Sequence, residues 1–184
     1  MRILKFISFV LLIGFGSCKK EKPPIQQQPK EFKFWSTAFT NDSFIPKLYT
    51  CDSISNYSPE LKWENAPAGT KSFVIIMDDP DAPNDTFVHW VVYDIPANAT
   101  GLRENFPTTE IQPDGTKQGG NGGNMNNYFG PCPPSDTHRY FFKIYALDMI
   151  FNNIFNGRAK DDVVKGMQGH ILKQAEIIGK YRRN

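Results

Sequence analysis

Three short apolar runs constrain the fold of this 184-residue chain more than any other feature. Ser72 to Met77 (SFVIIM) and His89 to Asp94 (HWVVYD) are almost entirely apolar. Arg139 to Asp148 (RYFFKIYALD) places Tyr140, Phe142 and Ile144 on one apolar face. Each run has the length of a β-strand and is shorter than the helices that build a bundle. The runs therefore predict a sheet whose central strands are buried.

The composition favours the same class of fold. Aromatic residues make up 14% of the chain, 40% of residues are hydrophobic and 22% are charged, which indicates one globular domain and makes an all-α fold the least expected. The formal net charge is +2, and without residues 1–17 the chain has 19 basic and 19 acidic residues. A neutral domain lacks the basic surface of a nucleic-acid-binding protein, so that class is excluded.

The first 17 residues have the pattern of an export signal. Arg2 and Lys5 precede an uncharged apolar run of 11 residues, 6–16, which is shorter than the roughly 20 residues that a membrane span needs. Gly16-Ser17-Cys18 resembles the lipobox of bacterial lipoproteins and predicts that Cys18 carries the lipid. The alternative is an ordinary secretory signal with Cys18 as a free thiol. Either reading predicts an exported protein of the periplasm or membrane-anchored cell envelope.

The segment after the signal is expected to be a polar tether. Residues 18–31 are rich in Lys, Pro and Gln and contain too little apolar surface to fold, so the globular domain is predicted to span residues 32–184. The two remaining cysteines, Cys51 and Cys132, could pair in an oxidising compartment. Two separate buried thiols remain the alternative, because spacing alone does not establish the geometry of a bridge.

Three further segments carry predictions of local structure. Phe32 to Lys47 alternates apolar and polar residues around Asn41-Asp42, which predicts a hairpin. Residues 118–124 are Gly-rich and predict a loop. Asp161 to Tyr181 has apolar residues at helical spacing, which predicts a closing amphipathic helix.

Polar side chains suited to binding occur where the apolar strands begin or end. Asp79 and Asp81 flank Pro80 in a stiff turn, whereas His89 and His138 each begin a strand. His138 and Tyr140 share a face because strand side chains alternate. Two imidazoles, a phenol and a carboxylate could converge there. The competing interpretations are a turn capped by Asp81 and hydrogen-bonded structural histidines, and His170, within the predicted helix, is assigned a structural role.

Five motifs together resemble the phosphatidylethanolamine-binding protein family, in particular its bacterial, Raf-kinase-inhibitor-like branch. They are, in order, DDPDAP, HWVVYDIP, GPCPP, THRY and GMQGHIL, and the resemblance extends from about Ile45 to Tyr181. It implies a mainly β fold, in which a large central antiparallel sheet packs against a smaller one and a C-terminal helix lies beside a small pocket. The family's pocket binds phosphate-like anions and phospholipid head groups.

The resemblance also implies which residues form the pocket. The predicted ligand-binding residues are Asp79, Asp81, His89, Gly130, Pro134, His138 and Tyr140. None is Lys or Arg, so anion binding would depend on imidazole N–H groups, the Tyr140 hydroxyl and backbone N–H groups, with Asp79 orienting an imidazole. The chain departs from the family in its Asn- and Gly-rich loop at 118–127 and in the insertion at 135–137.

The functional prediction is a non-enzymatic binding or inhibitor module with no cofactor, no metal and no catalytic residue. Its expected partners are a phosphate-like anion or phospholipid head group, the membrane through the lipid, and an envelope protein such as a protease. The alternative is a hydrolase or metal-dependent enzyme that uses the same Asp and His side chains. The chain lacks G-x-S-x-G, Cys132 is flanked by prolines, and no metal-binding spacing links Asp79, Asp81, His89 and His138.

Overall fold

The computed structural model describes residues 30–151 and 159–183. The predicted signal peptide (1–17), Cys18 and the tether as far as residue 29 lie outside the described residues. Within the described ranges, none of the helices has the length and apolar character needed to cross a membrane.

Nine strands and one helix are present in the described ranges. In chain order the strands are β1 (Lys33–Ser36), β2 (Ser43–Phe44), β3 (Leu61–Glu64), β4 (Ser72–Asp79), β5 (Phe87–Pro96), β6 (Gly101–Leu102), β7 (Lys117–Gly119), β8 (Thr137–Leu147) and β9 (Ile171–Arg182). Helix α1 (Lys160–Gly166) lies between β8 and β9, and one 3-10 turn occupies Lys47–Tyr49.

The strands form two sheets. The larger has the order β2-β9-β8-β4-β5-β7 and the smaller β1-β3-β6. All neighbouring strands are antiparallel except β2 and β9, which pair in parallel. The mainly β fold with a large sheet, a smaller sheet and a helix near the C-terminus is confirmed.

Strand β4 lies at the centre of the larger sheet, and all eight of its residues are buried. Ile75 and Met77 face the core between the two sheets, whereas Val74 and Ile76 face a second core that α1 covers with Val163. Because both faces are covered, the strand is apolar throughout instead of alternating. The apolar runs therefore predicted the centre of the fold correctly.

The predicted hairpin at 32–47 is wrong. Strand β1 pairs with β3 in the smaller sheet, and β2 pairs with β9 in the larger one. The segment between them crosses from one sheet to the other, and Asp42 adopts a left-handed φ of 64° there. Alternation identified two strands, but it contains no information about which sheet each strand joins.

The predicted helix from Asp161 to Tyr181 is correct only in its first part. Helix α1 ends at Gly166, and Gly169, with a φ of 80°, turns the chain into β9. The apolar residues of β9 also fit a period of two, since Ile177, Gly179 and Tyr181 are buried and alternate with more exposed residues. Pairing with the whole length of β8 satisfies the backbone groups, and this tertiary interaction overrides the local helical pattern.

Cys51 and Cys132 form a disulfide, with their Cα atoms 5.4 Å apart. The bridge joins the segment after the 3-10 turn to the loop that leads into β8. The Cys51 N–H also donates a hydrogen bond to the Pro131 carbonyl at 3.1 Å. The open alternative of two separate thiols is therefore not what the fold contains.

Candidate functional site

The candidate site lies at one end of the larger sheet, where β4 ends and where β5 and β8 begin. A β-bulge in β5 determines which side chains meet there: Met77 pairs with Trp90 and Asp78 with Val88, which leaves His89 as the extra residue. The bulge places His89 and Trp90 on the same side of the sheet, because Trp90 is in the core between the sheets and the His89 ring packs edge-on against Tyr140, with centroids 5.1 Å apart.

Asp79 and His138 form a buried pair. The Asp79 Oδ2 atom lies 2.8 Å from the His138 Nδ1 atom, and the two side chains are 5% and 7% exposed. The Asp79 Oδ1 atom accepts a second hydrogen bond from the Asp81 N–H at 2.9 Å. An ionised carboxylate can only accept, so Nδ1 of His138 carries a proton and its Nε2 atom is not used in this pair.

His89 is fixed by the backbone of Phe129. Its Nδ1 atom lies 2.7 Å from the Phe129 carbonyl oxygen, and the His89 carbonyl accepts the Phe129 N–H at 3.0 Å. The carbonyl assigns the proton to Nδ1, so Nε2 of neutral His89 is an acceptor. Burial lowers the pKa of His89 below 6.5, which keeps the imidazole neutral at pH 7.

Tyr140 presents a buried hydroxyl to the same group of residues. Burial, followed by the negative charge of Asp79, raises the pKa of Tyr140 well above 10.0. The hydroxyl therefore stays protonated. Asp79 and the Cys132 backbone lie close enough to affect its pKa, but neither forms a hydrogen bond of good geometry with it. A buried donor without a partner costs free energy, and a ligand oxygen could remove that cost.

These four residues, Asp79, His89, His138 and Tyr140, are called the His–Asp cluster below. Both histidines use Nδ1–H within the protein, so of the two predicted imidazole forms, neutral and protonated, only the protonated one has an N–H left for an anion. The cluster offers the Tyr140 O–H, an acceptor at each Nε2, and a donor at Nε2 of an imidazole that becomes protonated. A phosphoryl group fits this set, because it has several acceptor oxygens and can carry one hydrogen.

An aromatic wall that sequence reasoning missed packs against His89. Phe87 and Phe129 lie with their ring centroids 4.8 and 5.8 Å from that of His89. The Gly-rich loop approaches these rings closely: a Cβ on Gly122 would lie 2.6 Å from the Phe87 ring, and one on Gly123 would lie 3.0 Å from Phe129. The run of glycines, interpreted only as a loop, was the signal for this close packing.

Asp81 belongs to a neighbouring ion pair instead of the cluster. Its Oδ2 accepts from the Arg139 N–H and Nε–H, and its Oδ1 accepts from Nη2 at 2.7 Å. The hydrogen bonds from Arg139 lower the pKa of Asp81 to about 2. Because both carboxylate oxygens are engaged, the geometry favours the turn-stabilising role over ligand binding for Asp81.

Gly130 and Pro134, both predicted to bind the ligand, lie in different surroundings. A Cβ on Gly130 would lie 2.1 Å from Asn56 Oδ1 and 2.9 Å from the Tyr49 carbonyl oxygen, so Gly130 is required by its packing against residues 49–56. Pro134 lines a separate cavity near the disulfide. The structure therefore gives the two residues of the GPCPP turn different surroundings.

The remaining candidates have no ligand geometry. Across residues 30–151 and 159–183, no three His, Cys, Asp or Glu side chains are grouped closely enough to hold a metal ion. His170 pairs with Asp148 at 2.8 Å on the surface, where the two side chains are 47% and 45% exposed. The metal-dependent alternative gains no support from this geometry.

Three comparisons agree with the fold and the motifs. The model of the family described as "Phosphatidylethanolamine-binding protein" matches residues 35–182. The "UPF0098 protein" of Aquifex aeolicus is 50% identical over 152 residues, with 82% of this chain and 88% of that protein covered. The corresponding protein of Methanothermobacter thermautotrophicus is 48% identical over 146 residues, covering 79% of this chain and 95% of that protein.

Two solved structures extend the comparison to three dimensions. A phosphatidylethanolamine-binding protein homologue from Chlamydia trachomatis has a TM-score of 0.74 and 33% identity, covering 83% of this chain and 98% of that one. YbcL of E. coli, described as a member of the mammalian family, has a TM-score of 0.74 and 28% identity, covering 84% and 100%. The resemblance seen in the motifs is confirmed, and the chain belongs to the phosphatidylethanolamine-binding protein family.

Proposed function

We propose that the His–Asp cluster binds a small phosphoryl anion, such as a phospholipid head group, and does not catalyse its conversion. One observation carries the proposal: the Asp79–His138 pair is buried, with Oδ2 and Nδ1 2.8 Å apart, and beside it the buried Tyr140 hydroxyl has no hydrogen-bond partner of good geometry among the described residues. Polar capacity that the fold leaves unused at a buried position is what a ligand site requires.

The Asp79 carboxylate has a defined part in this proposal. It holds the His138 ring in one orientation and provides the negative charge opposite an imidazolium. When an anion approaches, protonated His138 donates from Nε2 to the anion and from Nδ1 to Asp79, so neither N–H is left without a partner. An isolated carboxylate beside an anion would repel it, whereas the paired carboxylate supports the donor.

The absence of turnover is supported by the state of the candidate nucleophiles. The raised pKa of Tyr140 keeps its hydroxyl protonated, and Cys132 is a disulfide sulfur instead of a thiolate. The hydrolase alternative would need one of these groups to be activated. The Asp79 carboxylate acts on the Tyr140 hydroxyl by raising its pKa, and it already accepts hydrogen bonds from His138 and the Asp81 N–H.

The same proposal includes the location of the protein. Residues 1–17 direct export, Cys18 is lipidated, and the polar segment to residue 31 holds the domain away from the bilayer of the cell envelope. At that surface the cluster would meet phospholipid head groups and envelope proteins, a protease among them. A Cys18→Ala variant should lose fatty-acid labelling and membrane association, and unchanged association would contradict the anchor.

Calorimetry with O-phosphoethanolamine tests the binding function. The wild-type protein should bind this probe, and His138→Gln should weaken binding about tenfold or more, since a charge-assisted hydrogen bond contributes about 1.5–3 kcal/mol. His170→Gln is the matched control, because His170 also pairs with an aspartate but lies on the surface. Equal affinities in wild type and His138→Gln would contradict the site.

A parallel assay decides between binding and catalysis. Purified protein is incubated with p-nitrophenyl phosphate and p-nitrophenyl acetate, and product release is followed. We expect no release above that of the His138→Gln variant. Release that disappears on this substitution would favour the hydrolase instead.

A further inference from the structure

A cavity bordered by cationic side chains lies beside the His–Asp cluster. Its volume is about 450 Å³, and its lining residues are Lys47, Asp52, Pro134, Tyr181 and Arg183. Asp52 follows Cys51 in the chain, and Pro134 lies two residues after Cys132. The disulfide therefore connects the two chain segments that form opposite parts of the cavity lining.

Asp52 organises the cavity, because each of its carboxylate oxygens accepts a hydrogen bond from another lining residue. Its Oδ2 accepts the Tyr181 hydroxyl at 2.8 Å, and its Oδ1 accepts the Arg183 Nε–H at 3.0 Å. These hydrogen bonds, from Tyr181 first, lower the pKa of Asp52, so the carboxylate is ionised at neutral pH. Tyr181 and Arg183 are therefore held at the cavity by hydrogen bonds to an ionised carboxylate of the protein itself.

The polar groups that remain unused in the cavity are donors. The Lys47 ammonium contributes to lowering the pKa of Asp52 but forms no salt bridge within residues 30–151 and 159–183. Only the Nε atom of Arg183 is engaged there. Three ammonium hydrogens and the terminal guanidinium N–H groups therefore face the cavity with no acceptor partner among those residues. Two positive charges also outweigh the single charge of Asp52. Such a set selects an acceptor-rich anionic group.

The cavity and the His–Asp cluster are neighbours on one face of the sheet. His138 on β8 and Tyr181 on β9 are directly opposite in the antiparallel register, and both are buried. Side chains in such pairs have Cβ atoms about 4.5–5.5 Å apart. Arg183 lies two residues after Tyr181 along the chain, about 7 Å further at the usual strand rise. This register places the cavity and the cluster within the distance that a small molecule with two acidic groups can be expected to span.

We propose that the cavity is a second anion subsite, formed by Lys47 and Arg183, and that the preferred ligand carries two acidic groups: a phosphoryl group for the His–Asp cluster and a carboxylate or second phosphoryl group for the cavity. This inference rests on the proposed function, because it takes the cluster as the first binding position. The inference predicts that this protein binds such a ligand more tightly than a phosphoethanolamine head group, which has no second acidic group.

Two matched probes test the subsite, O-phospho-L-serine and O-phosphoethanolamine, which differ by one carboxylate. Calorimetry should show wild-type protein binding the phosphoserine probe roughly fivefold more tightly, the gain expected of one partly exposed ion pair. Lys47→Gln and Arg183→Gln should each reduce this preference and leave the affinity for O-phosphoethanolamine unchanged. Raising the salt concentration should reduce the preference as well.

Arg182→Gln is the control for Arg183→Gln. It removes the same charge one residue away, on the opposite face of β9. The preference for the phosphoserine probe should survive in Arg182→Gln. If it falls equally in both arginine variants, the effect is one of net charge and the subsite is wrong.

The remaining outcomes separate the inference from the proposed function. Equal binding of both probes to wild type, with loss in His138→Gln, would overturn the second subsite and leave the cluster in place. A preference that survives in Lys47→Gln and Arg183→Gln would also overturn it. Failure of both probes to bind would contradict the proposed function and the inference together.

Discussion

Asp78 and Asp79 are adjacent, equally buried carboxylates on β4 that face opposite sides of the sheet. Each residue is 3% exposed. Asp78 lies near two ammonium groups, Lys160 Nζ at 2.9 Å and Lys143 Nζ at 3.5 Å. Asp79 has an imidazole, His138, at 2.8 Å. The same side chain, one residue apart, is thus paired with two ammonium groups on one face of the sheet and with an imidazole on the other.

The difference in partners indicates a difference in role. Lys160 is the first residue of α1, so its contact with Asp78 fastens the helix to the sheet. A permanent ion pair of this kind is suited to holding structure. In an Asp–His pair, Nδ1 holds the carboxylate while Nε2 can still donate to or accept from another group, which suits a site that must respond to a ligand. Substitution of Asp78 should therefore lower mainly the stability of the fold, and substitution of Asp79 should lower mainly the affinity for the ligand.

Asp78→Ala should have the largest effect on stability. It leaves two ammonium groups without their buried counter-charge, and breaking a buried ion pair typically costs about 3–5 kcal/mol. The lysine side chains are 33% and 24% exposed and can turn toward water, so we expect about 2 kcal/mol, measured as a lower urea midpoint. Binding of O-phosphoethanolamine to the folded protein should not change. A tenfold loss of affinity in this variant would contradict the assignment of a purely structural role to Asp78.

Asp79→Asn should have the opposite profile. The asparagine can still accept the Asp81 N–H, but its amide group faces His138 Nδ1 as a donor, so the His138 proton moves to Nε2 and the counter-charge is lost. Affinity for O-phosphoethanolamine should fall about tenfold, equivalent to about 1.4 kcal/mol. The urea midpoint should change less than in Asp78→Ala. A larger fall in the midpoint than in that variant would show that Asp79 is mainly structural.

His89→Asn should remove a pH dependence of stability. Burial lowers the pKa of His89 below 6.5, so folded protein resists protonation that the unfolded chain accepts. The stability from neutral His89 is present above about pH 6.5 and is lost as pH falls toward the folded pKa, by at most about 1.4 kcal/mol per pH unit. Asparagine keeps the donor to Phe129 and does not titrate.

Urea unfolding of wild type and His89→Asn at pH 7.5 and pH 5.0 measures this effect. The difference between the two proteins should move in favour of the variant at the lower pH. An unchanged difference would mean that His89 is protonated as readily in the folded protein as in the unfolded chain.

Asp81→Asn should have the smallest effect. The Arg139 side chain is 51% exposed and that of Asp81 is 27% exposed, so solvent and salt screen the pair. We expect a fall of about 1–2 °C in Tm near neutral pH, and less in 1 M salt. Because the folded pKa of Asp81 is about 2 against 3.8, the contribution is present above pH 3.8 and disappears as pH falls toward 2. Binding should be unaffected; a clear loss would return Asp81 to the site.

Part of the site followed from local sequence rules. Period-two alternation placed His138 and Tyr140 on one face, and the apolar runs identified β4, β5 and β8. The position of His89 did not follow in this way, because alternation assigns adjacent residues to opposite faces and a bulge puts His89 on the side of Trp90. The position at the start of a strand and the family motifs both made His89 a candidate, but neither determined the face of the sheet on which it lies.

Contacts between distant segments were beyond sequence reasoning. Nothing near Asp78 in the chain indicates that Lys160 will reach it, and nothing near Asp52 indicates that Arg183, 131 residues later, will donate to it. The β9 strand is a similar case, since its pairing with β8 decides between two periods that the sequence allows. In each case the deciding interaction comes from tertiary structure.

NMR of protein labelled with 15N in histidine tests the His–Asp cluster most directly. On titration with O-phosphoethanolamine at pH 7, Nε2 of His138 should gain a proton and shift from the range of an unprotonated ring nitrogen to that of a protonated one. His170 is an internal control, because its Nδ1 is also 2.8 Å from a carboxylate oxygen, that of Asp148, but on the surface. We expect a shift at His138 and none at His170; equal responses at the two rings, or no response at His138 while the probe binds, would contradict the assignment.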